Sequence, residues 1–293
     1  MTTRVLVPSS LAREAEDKRE ATRKLGYVAR AATIFRADRL IVFPDREGET
    51  GKLDGGFVRT VLRYATTPPH LRKEIWGKRD ELEYVGVLPP LRAPSQTGSE
   101  SDDSGSKRHG IVTEVGPDQR VRVNCGLQHP ISLNVPSEMA LEQGERVTVR
   151  ISSRRPVRAK IVGKPTQGLS IEQTDLSAAL SREDAGVRIA ASRFGEALTV
   201  GKLETLAGRI ERDGLTVAFG APERGLPAIL GIDADTVRTD GVARLDAADD
   251  TDVEPNGDPG FDLWLNTVPN QGSDVVRTEE ALFATLASLT LRA

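Results

Sequence analysis

The chain has 293 residues, of which 38% are hydrophobic and 28% charged, which is typical of a globular protein with a buried core. Its formal net charge of −3 excludes a simple basic protein that coats nucleic acid, and its single cysteine, Cys125, excludes an internal disulfide and a thiolate metal cluster. The histidines lack metal-ligand spacing, and neither a signal peptide nor an apolar run near ~18 residues is found, so we expect no metal and a cytoplasmic location.

The first 91 residues show alternating signals for strands and helices. Short apolar runs that end at or near proline predict buried strands over 4–8, 39–45 and 82–91. Apolar residues spaced by three and four predict helices over 25–35 and 57–65, and Pro69 is suited to open another helix. This alternation is typical of an α/β domain.

The middle of the chain differs in composition and period. Residues 94–106 are rich in Ser, Gly and Asp, which predicts a flexible linker. Over 107–165, apolar and polar residues alternate in four or five short runs, which predicts a small β-barrel such as an OB-fold. Such barrels commonly bind single-stranded nucleic acid; a barrel that only braces the fold or a dimer is the alternative.

The α/β pattern resumes near residue 166. Apolar runs predict strands over 186–192, 196–200, 215–220 and 261–266. Residues 278–291 predict a closing helix, which Thr278 could cap. The barrel is therefore expected as an insertion into an α/β domain that is formed by 1–93 and 166–293.

Two loops are the candidates for chemistry: FGAPERGL (219–226) and LNTVPNQGSDVVRTEE (265–280). Each follows a predicted buried strand, and ligands of open α/β sheets bind beyond the carboxyl ends of the strands. Glycines in both loops permit close backbone approach, and the side chains of Asn266, Asn270 and Gln271 could read the edge of a base. Either loop alone would be an ordinary turn, whereas the pair in this order predicts one binding site.

Several common catalytic classes lose support from the sequence. No phosphate-binding GxxxxGK[ST] motif occurs, and no GxGxxG motif follows the first strand. A serine-hydrolase elbow and a zinc-hydrolase motif are also missing from the sequence.

Four segments carry a resemblance over nearly the whole chain. They are GYVARAATIFRADRLIVFPD (26–45), LRYATTPPHLRKEIW (62–76), LEYVGVLPPLRAP (82–94) and NTVPNQGSDVVRTEEALFATLASL (266–289). The chain resembles the archaeal and eukaryotic RNA methyltransferase family of the SPOUT superfamily. His70 departs from the family pattern, which usually has an aromatic residue there, and the acidic stretch 246–258 looks like a local elaboration.

The resemblance implies the fold class and the reaction. The fold is an α/β SPOUT trefoil-knot methyltransferase domain with an inserted small all-β OB-like barrel. The cofactor is S-adenosylmethionine, bound in the knot, and the protein is expected as a homodimer. The substrate is RNA, with a uridine ring nitrogen of ribosomal RNA favoured and a ribose 2′-hydroxyl as the second option.

The resemblance also assigns site residues. Arg277 and Glu223 are the candidate catalytic residues, although Arg277 could instead cap a helix or pair with Glu223 or Glu280. The residues implied in cofactor binding are Gly220, Ala221, Glu223, Gly225, Leu265, Asn266, Thr267, Val268, Pro269, Gln271, Gly272, Val276 and Thr278.

Basic residues concentrate in 23–30, 70–79 and 154–160, so this mildly acidic chain could still present a basic face to RNA. The candidate RNA-binding residues are Arg30, Arg72, Lys73, Arg154 and Arg155.

Two other interpretations remain open at this stage. One is an RNA- or ribosome-binding protein with this fold and little or no catalytic activity. The other is a β-barrel adaptor whose residues 107–165 carry all RNA binding. Methylation at pyrimidine C5 usually needs a cysteine adduct, and Cys125 lies among alternating core residues of the barrel, so transfer to nitrogen or to a hydroxyl fits better.

Overall fold

The computed structural model describes residues 2–91, 106–117, 120–137, 139–154, 156–163, 169–235, 237 and 260–291. Residues divide into two compact units. The first contains the described parts of Met1–Thr66, Asp80–Leu91 and Leu169–Ala293, and the second those of Thr67–Arg79 and Arg92–Gly168. The predicted linker up to residue 105 and the acidic stretch 246–258 lie outside the described residues.

The strands, in chain order, are β1 Thr3–Pro8, β2 Arg39–Phe43, β3 Ser106–Val115, β4 Arg120–Asn124, β5 Ile131–Asn134, β6 Arg146–Arg154, β7 Val157–Gly163, β8 Ser170–Gln173, β9 Val187–Ala197, β10 Leu215–Ala218 and β11 Leu263–Asn266. The helices are α1 Lys18–Ile34, α2 Gly55–Thr66, α3 Pro69–Trp76, α4 Leu176–Leu180, α5 Val200–Asp213, α6 Leu226–Leu230 and α7 Thr278–Leu289.

The first unit is built on a six-stranded sheet in the order β11-β9-β10-β1-β2-β8, in which every neighbouring pair is parallel. All six residues of β1 and all four of β10 are buried, as expected for the inner strands of a parallel sheet that is covered on both faces. The α/β prediction is therefore confirmed for this unit.

One register change in this sheet matters for the site. Strand β11 pairs with β9 through Trp264 and Ala190, and then through Leu265 and Glu196. Residues 191–195 of β9 therefore lie between the two paired stretches. At Gly195, a Cβ atom would lie 2.6 Å from the backbone nitrogen of Leu265, so only glycine lets β9 return this closely to β11.

Local sequence explains α1. The helix starts after Asp17, whose carboxylate accepts a hydrogen bond of 2.7 Å from the backbone N–H of Glu20. Its buried face packs against α2 and α7. Residue Gly26 lies against the 82–91 segment, where a Cβ atom would lie 2.5 Å from Cδ of Pro89.

The strand predicted over 82–91 is wrong. The segment contains two short 3-10 turns, Asp80–Leu82 and Val85–Val87, and its prolines follow. Two successive prolines cannot donate to a strand ladder. The first turn packs on α2 and the second on α1 instead. The run predicted as a strand over 196–200 is also different, since β9 continues to Ala197 and α5 begins at Val200.

The second unit is a five-stranded antiparallel sheet in the order β5-β4-β3-β6-β7. The two end strands, β5 and β7, contact each other, so the sheet is nearly closed, and α3 packs on β3. Alternate residues such as Val121, Val123, Val147 and Val149 fill its core, which confirms the alternation predicted for this region.

Within the described residues, no helix has the length and apolar character that crossing a membrane requires.

Candidate active site

Residues 191–194 of β9 and the loops that follow β10 and β11 line a cavity of about 560 Å³, within the range of small-molecule sites. Ten residues expected at the cofactor line it: Gly220, Ala221, Glu223, Gly225, Asn266, Thr267, Val268, Gln271, Val276 and Thr278. The structure therefore brings the two loops that the sequence singled out into one pocket.

The loop after β10 is a tight turn. Ala221 and Arg224 exchange backbone hydrogen bonds of 2.9 and 3.1 Å, which closes the loop on itself. Within it, Glu223 has a φ of 58°, in the left-handed region that non-glycine residues rarely adopt. At Gly220, a Cβ atom would lie 2.6 Å from Cα of Gly225, so the closed turn has no space for a side chain there.

The loop after β11 is held by its own amide side chains. The Oδ1 atom of Asn266 accepts from the backbone N–H of Val268 at 3.0 Å, and its Nδ2 donates to the carbonyl of Arg193 at 3.2 Å. Gln271 donates through Nε2 to the carbonyls of Ser273 and Asp274, at 2.8 and 3.3 Å. These amides therefore shape the loop, and reading of a base edge by them stays a prediction.

Two hydroxyl contacts join the loops to α7. Thr278 donates through Oγ1 to the carbonyl of Gly220 at 3.0 Å, and the hydroxyls of Thr267 and Thr285 are 2.7 Å apart. The expectation that Thr278 caps α7 is wrong, because Thr278 is its first helical residue and Arg277 occupies the cap position. The backbone N–H of Arg277 donates to Oε2 of Glu280 at 2.9 Å.

The remaining residues of the expected cofactor set lie outside the cavity lining. Leu265 is fully buried in β11, and Pro269 and Gly272 are exposed on the loop, as is Asn270. A Cβ atom at Gly272 would meet no atom within 4 Å, so this glycine is not required for space.

Arg277 lines a different cavity, of about 290 Å³, between α1 and the start of α7. Its guanidinium lies 3.8 Å from the carboxylate of Glu20, so its described ion-pair partner is neither Glu223 nor Glu280. Deeper in the same cavity, burial raises the pKa of Glu279, although the ammonium of Lys24, 3.7 Å away, opposes that rise. A catalytic role for Arg277 stays a prediction.

Most of the expected RNA-binding residues have local hydrogen-bond partners or side chains outside the described part of the structure. Arg30 donates to the carbonyls of Pro90 and Leu91, at 2.5 and 3.3 Å, and Arg72 donates through Nε to the carbonyl of Thr67 at 3.0 Å. Lys73 is exposed on α3. The side chains of the remaining two, Arg154 and Arg155, lie outside the described part of the chain.

Sequence reasoning missed a third wall of the cavity. Residues 191–194 of β9 line it, with the guanidinium of Arg193 4.8 Å from the ring centroid of Phe194. The missed lining residues of the other two loops are Phe219, Pro222, Leu226, Pro227, Ala228, Asp274, Val275 and Ala281. The glycine within the run ASRFGEA was the available signal, because glycine inside a strand often marks a bulge or a close approach.

A buried ion pair, also missed, anchors the loop after β10. Nε of Arg224 lies 3.1 Å from both carboxylate oxygens of Asp45, and its Nη2 lies 3.1 Å from Glu47. The Asp45 carboxylate also accepts from the hydroxyl of Ser10 at 2.5 Å, while the Asp45 backbone N–H donates to Ser9 Oγ at 2.8 Å. The loop is thus tied to the carboxyl ends of β1 and β2.

The chemistry of the site is that of binding and positioning. Among the described residues, no group of His, Cys, Asp and Glu side chains could hold a metal ion. Cys125 lies in the core of the second unit, where burial raises the pKa of its thiol to about 11. A neutral thiol at that position is a poor nucleophile.

Comparison with known proteins places this site in a family. A family model described as "Putative RNA methyltransferase" matches residues 2–289. Uncharacterized proteins of Haloarcula marismortui and Halobacterium salinarum are 68% and 64% identical, each over 99% of this chain and 99% of the relative. The human 28S rRNA (uridine-N(3))-methyltransferase is 30% identical, over 97% of this chain and 77% of the human protein. The chain belongs to this family of RNA methyltransferases and is an enzyme of the transferase class.

Proposed function

We propose that this enzyme transfers a methyl group from S-adenosylmethionine to a ring nitrogen of a uridine in ribosomal RNA. The observation that carries the proposal is the cavity that residues 191–194 of β9 and the loops after β10 and β11 line together. The human relative, 30% identical, is a uridine-N(3)-methyltransferase, which supports the choice of a uridine ring nitrogen over the second option, a ribose 2′-hydroxyl.

The cavity fits the proposed cofactor in size and in lining. Its volume of about 560 Å³ falls within the range of sites for ligands of this class. Apolar side chains such as Phe219, Leu226 and Val276 suit the faces of an adenine ring. The Thr267 backbone N–H has no hydrogen-bond partner among the described residues, so it is available to the edge of the base.

When bound, S-adenosylmethionine supplies a methyl group on a positively charged sulfur. The protein must align the acceptor atom with that methyl and leave the acceptor deprotonated. We assign the adenine edge to the backbone N–H of Thr267 and the backbone carbonyl of Val268, and the ribose and amino-acid tail to Gly220 and Gly225. Leu265, which the resemblance implies as well, lies outside the cavity lining. Glu223, which lines the cavity, would receive the proton of the acceptor.

Arg277 would act next to the cavity rather than inside it. Its side chain is half exposed, and its ion pair with Glu20 spans 3.8 Å, so the guanidinium is free to turn toward an RNA phosphate or a negatively charged acceptor. The state of Cys125 supports transfer to nitrogen or oxygen, because methylation at pyrimidine C5 usually needs an ionised thiol that adds to C6 of the base.

The proposal extends to the architecture. Residues 1–93 and 166–293 would form a SPOUT trefoil-knot domain, and 107–165 an inserted OB-like barrel. The contact of Thr278 with the carbonyl of Gly220 supports threading of the last segment against the loop after β10. The sheet order of the second unit and the contact between its end strands support the barrel. A crystal structure that traces the chain from 231 to 262 tests the knot.

We also propose a homodimer and a cytoplasmic location. Tyr27 and Ile34 support a dimer, because they lie seven residues apart on one face of α1 and are 43% and 46% exposed. Light scattering should give twice the 31.7 kDa of one chain. A mass of one chain would contradict the dimer without affecting the reaction.

The reaction is tested by incubating the enzyme with ribosomal RNA and labelled S-adenosylmethionine, followed by mass spectrometry of the nucleosides. We expect labelled 3-methyluridine. A labelled 2′-O-methyl nucleoside would move the acceptor to the ribose. RNA binding without any transfer would return the protein to the binding-only interpretation.

The role of Glu223 is tested by Glu223→Gln, with Glu204→Gln on the exposed surface of α5 as the matched control. If Glu223 receives the proton, kcat falls by about 100-fold or more, while KM for the cofactor changes little. A raised KM with unchanged kcat would show that Glu223 only holds the cofactor. The control should behave as the wild type.

A further inference from the structure

Three basic side chains form a row across the second unit. In the pairing of β3, β6 and β7, Lys107 is directly opposite Arg150, and Arg150 is directly opposite Lys160. All three are exposed. The next residues along the strands, Val149 and Ile161, are opposite each other and buried. Because successive side chains of a strand point to opposite faces, the row lies on the outer face of the sheet.

The described part of the chain provides no acidic partner for this row, which we call the basic row. Strands β6 and β7 contain five basic residues and no acidic one in their sixteen positions. None of the three members has an ion pair within the described residues. Like charges directly opposite each other on neighbouring strands are destabilising, so the row works against the stability of its own sheet.

The same sheet pairs its charges elsewhere. Arg122 on β4 is directly opposite Glu114 on β3, and their charged groups are 3.5 Å apart. The chain as a whole carries a formal net charge of −3. An uncompensated run of positive charge in an acidic chain is therefore a local feature of β3, β6 and β7.

The geometry suits an extended anion with repeated charges. Neighbouring strands lie about 4.8 Å apart, so the three side chains span about 10 Å across the sheet. A nucleic-acid strand carries one phosphate per ~3.4 Å of helix axis, so it presents more than one phosphate over that distance. A single small anion would neutralise only part of the row.

We propose that the basic row of Lys107, Arg150 and Lys160 binds the phosphate backbone of the RNA substrate. This inference rests on the proposed function for the identity of the nucleic acid. It assigns the second unit an RNA-binding role, in place of one that only braces the fold. Contacts of this type position the substrate and contribute affinity without reading its sequence.

The test compares two triple variants that lose the same charge. One is Lys107→Gln, Arg150→Gln and Lys160→Gln. The control removes three exposed basic residues of the first unit, Lys52, Arg59 and Arg212, by substitution with glutamine. Fluorescence anisotropy with a labelled single-stranded ribosomal RNA fragment is measured over a series of salt concentrations for both variants and the wild type.

We expect the basic-row variant to bind RNA about tenfold more weakly or worse at low salt. The slope of log K against log salt should fall by about 2, since each lost phosphate contact removes about 0.7 for single strands. The control should keep a slope near that of the wild type. Equal slopes and affinities for the two triple variants would overturn the proposal, because net charge alone would then explain the binding.

Folding and cofactor binding are followed on the same samples. The basic-row variant should keep its affinity for S-adenosylmethionine, and its thermal midpoint should stay equal or rise because three repelling charges are gone. If the triple variant unfolds, the single variant Arg150→Gln at the centre of the row replaces it, with an expected slope change of about 0.7. No slope change in that variant overturns the proposal.

Two further results separate this inference from the proposed function. Wild-type protein that binds RNA through the row but does not bind S-adenosylmethionine would refute the proposed function and leave the row intact. Protein that methylates RNA with an unchanged salt slope in the variant would refute the row alone. Binding of an acidic peptide by the row in preference to RNA would also refute it.

Discussion

The ion pair between Arg224 and Asp45 is the most informative place to perturb the site. Arg224 belongs to the loop after β10, and its side chain is 19% exposed, whereas the side chain of Asp45 is only 3% exposed. Substitution Arg224→Ala leaves a buried carboxylate with the hydroxyl of Ser10 as its remaining described side-chain partner. Because the loop borders the cofactor cavity, both stability and cofactor binding should respond.

The magnitude follows from the burial of the pair. Removing one partner of a buried ion pair typically costs about 3–5 kcal/mol. Arg224 retains some solvent contact, so we expect the lower end of that range, about 3 kcal/mol, in the free energy of unfolding. The turn between Ala221 and Arg224 should loosen as well, and we expect the Kd for S-adenosylmethionine to rise by about tenfold or more, which corresponds to about 1.4 kcal/mol.

The assay is urea unfolding together with calorimetric titration of S-adenosylmethionine. Arg212→Ala is the matched control, because Arg212 is 70% exposed and pairs with its chain neighbour Asp213, so its loss should cost less than about 0.5 kcal/mol. Arg224→Lys should recover part of the stability. If Arg224→Ala matched the control in both measurements, the pair would not hold the loop and our reasoning would be wrong.

The remaining predictions concern Gly220, Thr278 and Cys125. Gly220→Ala should abolish cofactor binding in a titration, because the new Cβ atom would lie 2.6 Å from Cα of Gly225. Gly272→Ala, whose Cβ atom meets no atom within 4 Å, should bind the cofactor as the wild type does. Equal affinities of the two variants would show that the loop can open. Thr278→Val removes the 3.0 Å bond to the carbonyl of Gly220, so it should lower the unfolding free energy by about 1 kcal/mol and weaken cofactor binding. Ser288→Ala, which removes a bond within α7, should leave the cofactor affinity unchanged. Burial raises the pKa of Cys125 from 9.0 to about 11, so the unfolded chain loses this proton first and stability should fall as pH rises from about 9 to about 11. Urea titrations across that range should show a smaller fall in Cys125→Ala, and parallel curves for the two proteins would contradict the assignment.

The loops of the site could be predicted because their signals are local. Glycine, proline and asparagine punctuate 219–226 and 265–280, and each run follows a strand with continuous apolar residues. The cavity into which the Arg277 side chain points could not be predicted in this way. It depends on how α7 packs on α1, a contact between segments far apart in the chain.

Errors in the fold have equally specific causes. The spacing of Leu82, Val85 and Val87 suits a strand as well as it suits two 3-10 turns, the first packed on α2 and the second on α1. Periodicity alone does not separate these structures. Strand β8 was missed because its sequence, SIEQ, has one aliphatic residue and lies at the edge of the sheet, where burial no longer demands apolar side chains.

The register change between β9 and β11 has a consequence for how the enzyme could diversify. Ala190 and Glu196 of β9 pair with two successive residues of β11, although five residues separate them in β9. Four of those five residues line the cavity. The length of this excursion can vary while the hydrogen-bonded frame on both sides keeps its alignment. Insertions or deletions at 191–195 would therefore reshape the third wall of the cavity at little cost to folding. Such changes would also alter which acceptor the enzyme selects.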